Sequence, residues 1–269
     1  ADTQLVMASD TLVESVHFPA DASGEQIASR ALCVNLSDMA AMGATPKWFT
    51  LALTMPKHLA NNQWLKSFSA GLADVAKEFD IALVGGDTTL GPLAVSITML
   101  GEVPVGQALQ RNGALVGDAI YVTGTLADGA AALNMLKANA NKVTEDSERL
   151  LARFYRPQPQ IEAGIALRNI ASACIDISDG LVADLGHICL ASGVKANLVA
   201  QWLPIHRQLR KMSEVDYLNW ALTGGDEYQL CFTLSANNKI IVDQWIAEGK
   251  LMATMIGQIT QSCDSGELV

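Results

Sequence analysis

The stretch Ile175-Asp176-Ile177-Ser178-Asp179-Gly180 joins an apolar run typical of a β-strand to a helical pattern that begins at Leu181. A strand that stops at carboxylates and a hydroxyl just before a helix is typical of the ligand-binding edge of an α/β sheet, where such loops converge. A simpler interpretation also holds, because Ser178 or Asp179 could cap the helix and contribute about 1 kcal/mol. The sequence leaves both interpretations open.

Two other apolar runs stop in the same way, at Met7-Ala8-Ser9-Asp10 and at Val84-Gly85-Gly86-Asp87-Thr88-Thr89. The glycine pair would let the main chain approach a phosphate closely, and the threonine hydroxyls could coordinate a metal or donate hydrogen bonds. Isolated aspartates in such loops suit magnesium, which prefers hard oxygen ligands. Taken alone, the glycine-containing segment is equally well explained as a turn with a polar tip.

A polar cluster, Asn35-Leu36-Ser37-Asp38, lies inside an otherwise apolar helical pattern. The helix is predicted over 27–42, with a capping-box spacing at Ser23 to Gln26 before it and Gly43 to end it. Polar groups on the buried side of a helix are costly unless they bind something or are fully hydrogen-bonded. Asp38 is therefore the acid that the residue pattern itself most strongly marks as functional.

The length and the overall pattern predict two domains, or one large one, of mixed helices and strands. The chain has 269 residues, 50% of them hydrophobic and 17% charged, against a prior of roughly 150 residues per domain. Short β-rich runs alternate with helical patterns throughout, which indicates an α/β or α+β architecture. The glycine- and proline-containing segment 104–117 is the candidate boundary. We place an N-terminal domain at residues 1–112 and a C-terminal α/β domain at residues 113–269.

The individual elements follow from periodicity and from their start and stop signals. Strands are predicted at 5–9, 48–54, 81–84, 93–100, 119–123, 173–177, 228–234 and 252–259. Helices are predicted at 27–42, 63–79, 128–138, 147–153, 160–171, 181–191 and 237–248, with Gly193 and Gly249 ending the last two.

Charge and composition narrow the classes of partner and location. A formal net charge of -10 disfavours nucleic-acid binding, and an acidic protein that binds polyphosphate must draw positive charge from bound divalent metal. The five cysteines show no CxxC pair, so buried reduced thiols are expected. No apolar run approaches the roughly 18 residues needed to span a membrane, and no leader pattern is present. We expect a cytoplasmic protein that binds neither nucleic acid nor membrane.

Several nucleotide-binding patterns are excluded. The segment 124–129 has Walker-like glycine spacing, but Ala130-Ala131 follows where Lys and Ser or Thr would be required. Protein-kinase signatures and a G-x-G-x-x-G fingerprint are also missing. Arg111 lies in a polar connector where its guanidinium could clamp a phosphate, although an ordinary surface arginine is the default interpretation. An ATP-using enzyme with this sequence must therefore have a different fold.

Taken together, five motifs in order along nearly the whole chain resemble the thiamine-monophosphate kinase family. They are Ser9-Asp10-Thr11-Leu12-Val13 with His17-Phe18, Asn35-Leu36-Ser37-Asp38-Met39-Ala40-Ala41-Met42-Gly43, Gly85-Gly86-Asp87-Thr88-Thr89, Asp176-Ile177-Ser178-Asp179-Gly180-Leu181 and Gly224-Gly225-Asp226-Glu227-Tyr228. Five motifs at compatible spacing are far more specific than any one of them.

The resemblance implies the two-domain fold of the aminoimidazole-ribonucleotide synthetase superfamily, with an N-terminal sheet at a homodimer interface. It implies that ATP and thiamine monophosphate react to give thiamine diphosphate and ADP, with several Mg²⁺ ions. The implied magnesium ligands are Ser9, Asp10, Asp38, Asp87, Asp176 and Asp179. The implied ATP contacts are Gly86, Asp87, Arg111 and Ser178, and the implied contacts to the thiamine substrate are His17 and Asp226.

The implied reaction explains why no catalytic residue is predicted. The acceptor is a phosphate monoester whose second pKa is about 6, so its attacking oxygen is already deprotonated at neutral pH. Several magnesium ions would neutralise the phosphates and hold them in line, and catalysis would be positioning and electrostatics.

Two departures from the family pattern generate further expectations. A Gly-Asp-Asp motif that the family carries upstream is missing, and the C-terminal segment with an aromatic substrate contact is also missing, so we expect a chain truncated at both ends. The family's Gly-Gly-Glu-Asp-Tyr is Gly-Gly-Asp-Glu-Tyr here, so either Asp226 or Glu227 could reach the substrate. The alternatives are a related ATP-dependent enzyme such as aminoimidazole-ribonucleotide synthetase, or a catalytically inactive nucleotide-binding dimer.

Overall fold

The computed structural model describes residues 2–138, 145–211 and 214–261. The chain forms two compact units, each built from two stretches of sequence. The first unit consists of Ala1–Ala108 and Ala131–Ile165, and the second of Leu109–Ala130 and Ala166–Val269. The segment 131–165, which we predicted in the C-terminal domain, therefore packs with the N-terminal part of the chain.

The first unit is built on a four-stranded sheet, whose strands are β1 (Thr3–Val13), β2 (Thr45–Met55), β3 (Ala82–Leu90) and β4 (Ala94–Pro104). The strand order is β1-β4-β2-β3. β4 pairs antiparallel with both β1 and β2, and β2 pairs parallel with β3. Burial alternates along β4, so one face of the sheet is covered and the other faces outward.

The covered face of the sheet packs against helices. The first helices along the chain are α1 (Gly24–Ala41), α2 (Asn62–Glu78), α3 (Asp128–Lys137), α4 (Glu145–Tyr155) and α5 (Ile161–Ala166). α1 is buried over most of its surface, and the predicted capping box between Ser23 and Gln26 is confirmed. The helix ends before Gly43, which adopts the left-handed conformation with φ of 62°. Local sequence signals therefore fix both ends of the most buried helix.

The second unit contains a five-stranded sheet, formed by β5 (Ala119–Thr123), β6 (Ala173–Asp176), β7 (Lys195–Leu198), β8 (Leu230–Leu234) and β9 (Ala253–Thr260). Its order is β6-β8-β5-β9-β7, and every neighbouring pair is antiparallel. The remaining helices are α6 (Leu181–Ser192), α7 (Glu214–Thr223) and α8 (Ala236–Ala247). We predicted that the loops at the strand ends converge at one carboxyl edge. This prediction was wrong for the five-stranded sheet, because loops converge in this way in sheets of parallel strands and the strands here are antiparallel.

Two predictions of local structure need correction. The segment 85–89 was predicted as a loop, but β3 continues through it to Leu90, since every residue from Gly85 to Leu90 pairs with β2. The helix predicted at 160–171 is confined to Ile161–Ala166. β7 and α7 were not predicted at all.

The cysteines agree with the expectation of reduced thiols for the part of the chain that the structure describes. Cys33, Cys174 and Cys231 are buried, Cys189 is half-buried, and none of these four is in a disulfide. Burial raises the pKa of the Cys33 thiol to about 12. Cys263 lies outside the described residues. Within the described ranges, no helix is both long and apolar enough to cross a membrane.

Candidate metal and nucleotide site

In the first unit, the carboxyl groups of Asp10 and Asp38 are hydrogen-bonded to each other. Asp10 is half-buried on β1, and Asp38 is half-buried on α1. Burial raises the pKa of Asp10, while the hydrogen bond from Asp38 and the nearby His17 act in the opposite direction. Two carboxyl groups in contact repel each other when both are ionised, so they must share a proton or bind a cation. The polar cluster on α1, which was predicted either to bind something or to be fully hydrogen-bonded, thus contributes one acid to a carboxyl pair, and the role of Asp38 as a metal ligand stays a prediction.

This pair fits a magnesium ion. Magnesium is held in proteins by one or two carboxylates, with phosphate oxygens and water completing the octahedron. Among the residues that the structure describes, no group of three or more His, Cys, Asp or Glu side chains could hold a metal ion. The first unit therefore offers two carboxylates for a metal whose remaining ligands would come from substrate and solvent.

His17 lies in a turn after β1 that a buried arginine holds in place. The Val13 N–H donates to His17 Nδ1 at 3.0 Å, and Arg30 Nε donates to the His17 carbonyl at 3.0 Å. The Arg30 guanidinium also donates from Nη1 to the Phe154 carbonyl at 2.6 Å and lies 4.0 Å over the ring of Phe154. The sequence analysis missed Arg30, although a lone arginine on an apolar helix was a usable signal. His17, Asp10 and Asp38 are the predicted site residues that the first unit brings together.

Ser9 does not join this group through its side chain. Successive side chains of a strand point to opposite faces, so Ser9 lies on the outward face while Asp10 faces α1. Ser9 Oγ donates to the Ile97 carbonyl at 3.2 Å and lies 3.0 Å from Thr98 Oγ1. Only its main chain could act beside Asp10, and the proposed role of Ser9 as a ligand stays a prediction.

Asp87 and Gly86 lie within β3, at the far edge of the sheet from β1. Asp87 pairs with Ala52 and lies on the outward face, three strand spacings or roughly 14 Å from β1. Gly86 has φ of 150°, and a Cβ built on it would lie 1.9 Å from the Leu51 carbonyl oxygen. The close approach of β2 thus explains Gly86 without any phosphate. The roles of both residues stay predictions.

In the second unit, the loop from Asp176 to Gly180 is held by a side chain that the sequence analysis missed. Asp184 Oδ2 accepts hydrogen bonds from the N–H groups of Ser178, Asp179 and Gly180, at 3.0, 3.0 and 3.1 Å. Burial raises the pKa of Asp184, against the opposing effect of these donors. The N-cap of α6 is Gly180, with no side-chain capping bond, so the capping interpretation of Ser178 and Asp179 was wrong. Both side chains are exposed instead.

The neighbouring loop separates the roles of Asp226 and Glu227. Glu227 is only 2% exposed, and its Oε1 accepts from the Gly129 N–H at 3.2 Å, in the first turn of α3. Such first-turn N–H groups lack a partner within the helix, and a carboxylate there is stabilising. Asp226 is half-buried, with φ of 66°, and its Oδ1 accepts from the Tyr228 hydroxyl at 3.1 Å. Glu227 thus has a structural contact with the start of α3, and the role of Asp226 as a substrate contact stays a prediction.

Arg111 is exposed and lies beside the beginning of β6, whereas Asp176 lies at its end and is 6% exposed. The Cys174 N–H donates to the Gln110 carbonyl at 2.8 Å, which fixes the connector along the edge of the sheet. The structure therefore places Arg111 and the Asp176–Gly180 loop in the same unit but at opposite ends of one short strand.

The chain matches two family models along its length. Residues 1–103 match the N-terminal domain of AIR synthase related proteins, and residues 116–268 match the C-terminal domain. The predicted division at residues 112 and 113 falls in the interval between these ranges and stays a prediction. The fold and the matched models define an AIR synthase related protein of two domains, as expected.

Individual relatives narrow this class. Thiamine-monophosphate kinase of Escherichia coli K12 is 46% identical over 259 residues, which cover 95% of this chain and 79% of the relative. The crystal structure of thiamine-monophosphate kinase from Stenotrophomonas maltophilia is 44% identical with a TM-score of 0.92, covering 97% of this chain and 84% of that one. A structure described as AaThiL complexed with AMPPCP and TMP is 30% identical with a TM-score of 0.88, covering 97% and 82%. The chain belongs to the thiamine-monophosphate kinase family.

The contrast between Asp226 and Glu227 gives a test by matched isosteric variants. Glu227→Gln is expected to lower the free energy of unfolding by about 1–3 kcal/mol, because the negative charge of a buried acceptor is lost at a helix start. Asp226→Asn should cost less than about 0.5 kcal/mol, since asparagine tolerates the left-handed conformation and still accepts from Tyr228. Urea unfolding measures both. Equal losses for the two variants would contradict the assignment.

Proposed function

We propose that this chain transfers the γ-phosphoryl group of ATP to the phosphate of thiamine monophosphate, giving ADP and thiamine diphosphate. The observation that carries the proposal is the similarity to thiamine-monophosphate kinases along 95% of the chain. A related structure holds AMPPCP, in which a methylene group replaces the β–γ bridging oxygen of ATP, together with TMP. The bond that breaks joins the γ-phosphorus to the β–γ bridging oxygen, and the new bond joins it to the acceptor's phosphate oxygen.

The acceptor needs no general base. Its phosphate monoester has a second pKa of about 6, so the attacking oxygen carries no proton at neutral pH. The obstacle is instead electrostatic, because a dianion must approach a polyanion inside a protein of net charge -10. The residues proposed for the site therefore have to hold, orient and neutralise phosphates rather than move a proton.

Magnesium, when bound, supplies the positive charge that neutralises the phosphates. In the first unit, Asp10 and Asp38 would hold it, because their contact places two carboxylates where a cation relieves their repulsion. In the second unit, Asp176 and Asp179 are proposed as further ligands and Ser178 as a contact to ATP. Ser9, Gly86, Asp87 and Arg111 remain proposed contacts.

For the thiamine substrate, His17 and Asp226 are the proposed contacts. His17 is exposed with its Nδ1 occupied by the Val13 N–H, so its Nε2 is the ring atom that can face a ligand. Asp226 is held by a strained turn that presents its carboxylate, since a left-handed aspartate persists only where the surroundings fix it. The predicted cytoplasmic location stays a prediction.

The activity is tested by separating thiamine diphosphate and ADP after incubation with ATP, thiamine monophosphate and Mg²⁺. Equal amounts of both products are expected, and ATP binding should collapse when EDTA removes divalent metal. Asp38→Asn should lower turnover by roughly 100-fold or more, because metal stabilisation of transition-state charge is worth several kcal/mol. Asp216→Asn, an exposed change on α7, is the control and should leave turnover unchanged. ADP release without thiamine diphosphate, or ATP binding that survives EDTA, would contradict the proposal.

We also propose that the chain forms a homodimer through the outward face of the four-stranded sheet. That face exposes the apolar side chains of Leu5, Met7 and Trp48. The edge strand β3 is exposed along its whole length, including Leu83, Val84 and Leu90. A long exposed apolar edge strand is normally covered in native proteins. Ser9 and Asp87 lie on this same face, so a second copy would bury both of these predicted ligands at the interface.

The dimer is tested by sedimentation velocity. The native chain should sediment with twice its 28.6 kDa mass. Met7→Lys should give monomers, because a charge buried in an apolar interface without a partner is costly. Leu190→Lys is the matched control, since Leu190 is more exposed, at 83%, but lies in the second unit. A monomeric native chain, or a Met7→Lys variant that remains dimeric, would exclude this interface.

A further inference from the structure

We infer that Asp184 is a positioning residue that holds the Ser178–Gly180 loop and, through it, the Asp226 loop, in a single arrangement. The inference rests on the proposed function, in which Ser178 and Asp179 contact nucleotide and metal and Asp226 contacts the acceptor. Asp184 itself is buried at 3% exposure and faces none of these ligands. Its effect on the reaction is therefore indirect.

One carboxylate oxygen of Asp184 holds the Ser178–Gly180 loop by hydrogen bonds. Asp184 Oδ2 accepts from three successive N–H groups within 3.0 to 3.1 Å. The Asp184 N–H in turn donates to the Gly180 carbonyl at 2.9 Å, which begins α6. Three donors that converge on one charged acceptor fix the main chain of the loop tightly, because charge-assisted bonds are about twice as strong as neutral ones.

The hydrogen bonds to Asp184 decide which groups of the Ser178–Gly180 loop can contact a ligand. Loops of this kind at a helix start commonly bind phosphate with their main-chain N–H groups. Here those N–H groups point inward to Asp184, whereas the side chains of Ser178 and Asp179 are exposed. The loop therefore contacts its ligand with a hydroxyl and a carboxylate. Its main-chain N–H groups cannot bind an anion, because Asp184 already occupies them.

The Asp226 loop is attached to the Ser178–Gly180 loop by main-chain hydrogen bonds. The Asp226 N–H donates to the Ser178 carbonyl at 2.9 Å, and the Tyr228 N–H donates to the Ile177 carbonyl at 2.8 Å. A Cβ built on Gly225 would lie 2.4 Å from the Ser178 carbonyl oxygen, so no other residue allows this approach. Any displacement of Ser178 is thus passed directly to Asp226.

Two residues of the Asp226 loop have a strained backbone, so the loop depends on the hydrogen bonds that hold it. Asp226 and Tyr228 adopt φ of 66° and 51°, in the left-handed region that favours glycine. Such residues persist only where their surroundings determine them, and they concentrate at functional sites. The carbonyl groups of Ile177 and Ser178 accept the hydrogen bonds that hold these two residues, so loss of Asp184 should relax both loops together.

Hydrogen exchange of the native chain and of two variants, followed by mass spectrometry, tests the coupling independently of activity. Asp184→Asn removes the charge but keeps the shape, so it should speed exchange about tenfold or more in the segments 178–180 and 226–228. Asp118→Asn is the matched control. Asp118 is 4% exposed in the same unit, and its Oδ2 accepts from the Leu115 N–H at 3.0 Å and from Ser172 Oγ at 2.5 Å. It should leave both segments unchanged.

Kinetics of the same proteins provide the second readout. Asp184→Asn should raise KM for both ATP and thiamine monophosphate and shift the Mg²⁺ requirement to higher concentration, each by several-fold, whereas Asp118→Asn at a similar unfolding midpoint should not. Unchanged exchange in either segment, or faster exchange in 178–180 alone, would overturn the coupling. Normal KM values and normal Mg²⁺ dependence in Asp184→Asn would overturn the positioning role. If the native chain made no thiamine diphosphate, the proposed function would fail, while the exchange result would still decide whether Asp184 couples the loops.

Discussion

The contact between the carboxyl groups of Asp10 and Asp38 is the constraint on which the rest of the first unit depends. Burying two acids against each other is unfavourable unless a proton or a cation lies with them. The fold nevertheless maintains the contact, with Asp10 on a strand of the sheet and Asp38 on its most buried helix. Arg30 extends the arrangement by fixing the His17 turn from the same helix. The surrounding packing therefore maintains a contact between two acids whose repulsion a bound cation would relieve.

In the second unit, hydrogen bonds fix the direction in which short loops present their polar side chains. Asp184 accepts hydrogen bonds from the main-chain N–H groups of the Ser178–Gly180 loop. Main-chain carbonyls of Ile177 and Ser178 in turn accept hydrogen bonds from N–H groups of the Asp226 loop. Glu227 likewise accepts a hydrogen bond from a main-chain N–H group in the first turn of α3. The buried carboxylates thus accept hydrogen bonds from the main chain, and the exposed carboxylate of Asp179 is a proposed ligand. Composition alone cannot distinguish these two uses of an acidic residue.

The sequence predicted most elements and the Asp38 cluster, because periodicity, capping residues and a polar group on an apolar helix are local signals. The face on which a residue lies was also available from strand periodicity, since Ser9 and Asp10 are neighbours and cannot point to one side. Gly86 could not be interpreted locally, because its need for glycine comes from β2, 35 residues earlier in the chain at Leu51. Asp184 was missed for a related reason, since its partners are main-chain groups that carry no sequence signature.

We propose that the Asp10–Asp38 pair is a divalent-cation site. Manganese prefers the same oxygen ligands as magnesium and scatters anomalously, so crystals grown with Mn²⁺ and a non-hydrolysable ATP analogue test the claim most directly. We predict an anomalous peak about 2.0–2.2 Å from carboxylate oxygens of both residues, and its absence at the same position in crystals of Asp38→Asn. Manganese bound at other sites, with the two carboxyl groups still hydrogen-bonded to each other, would contradict the claim.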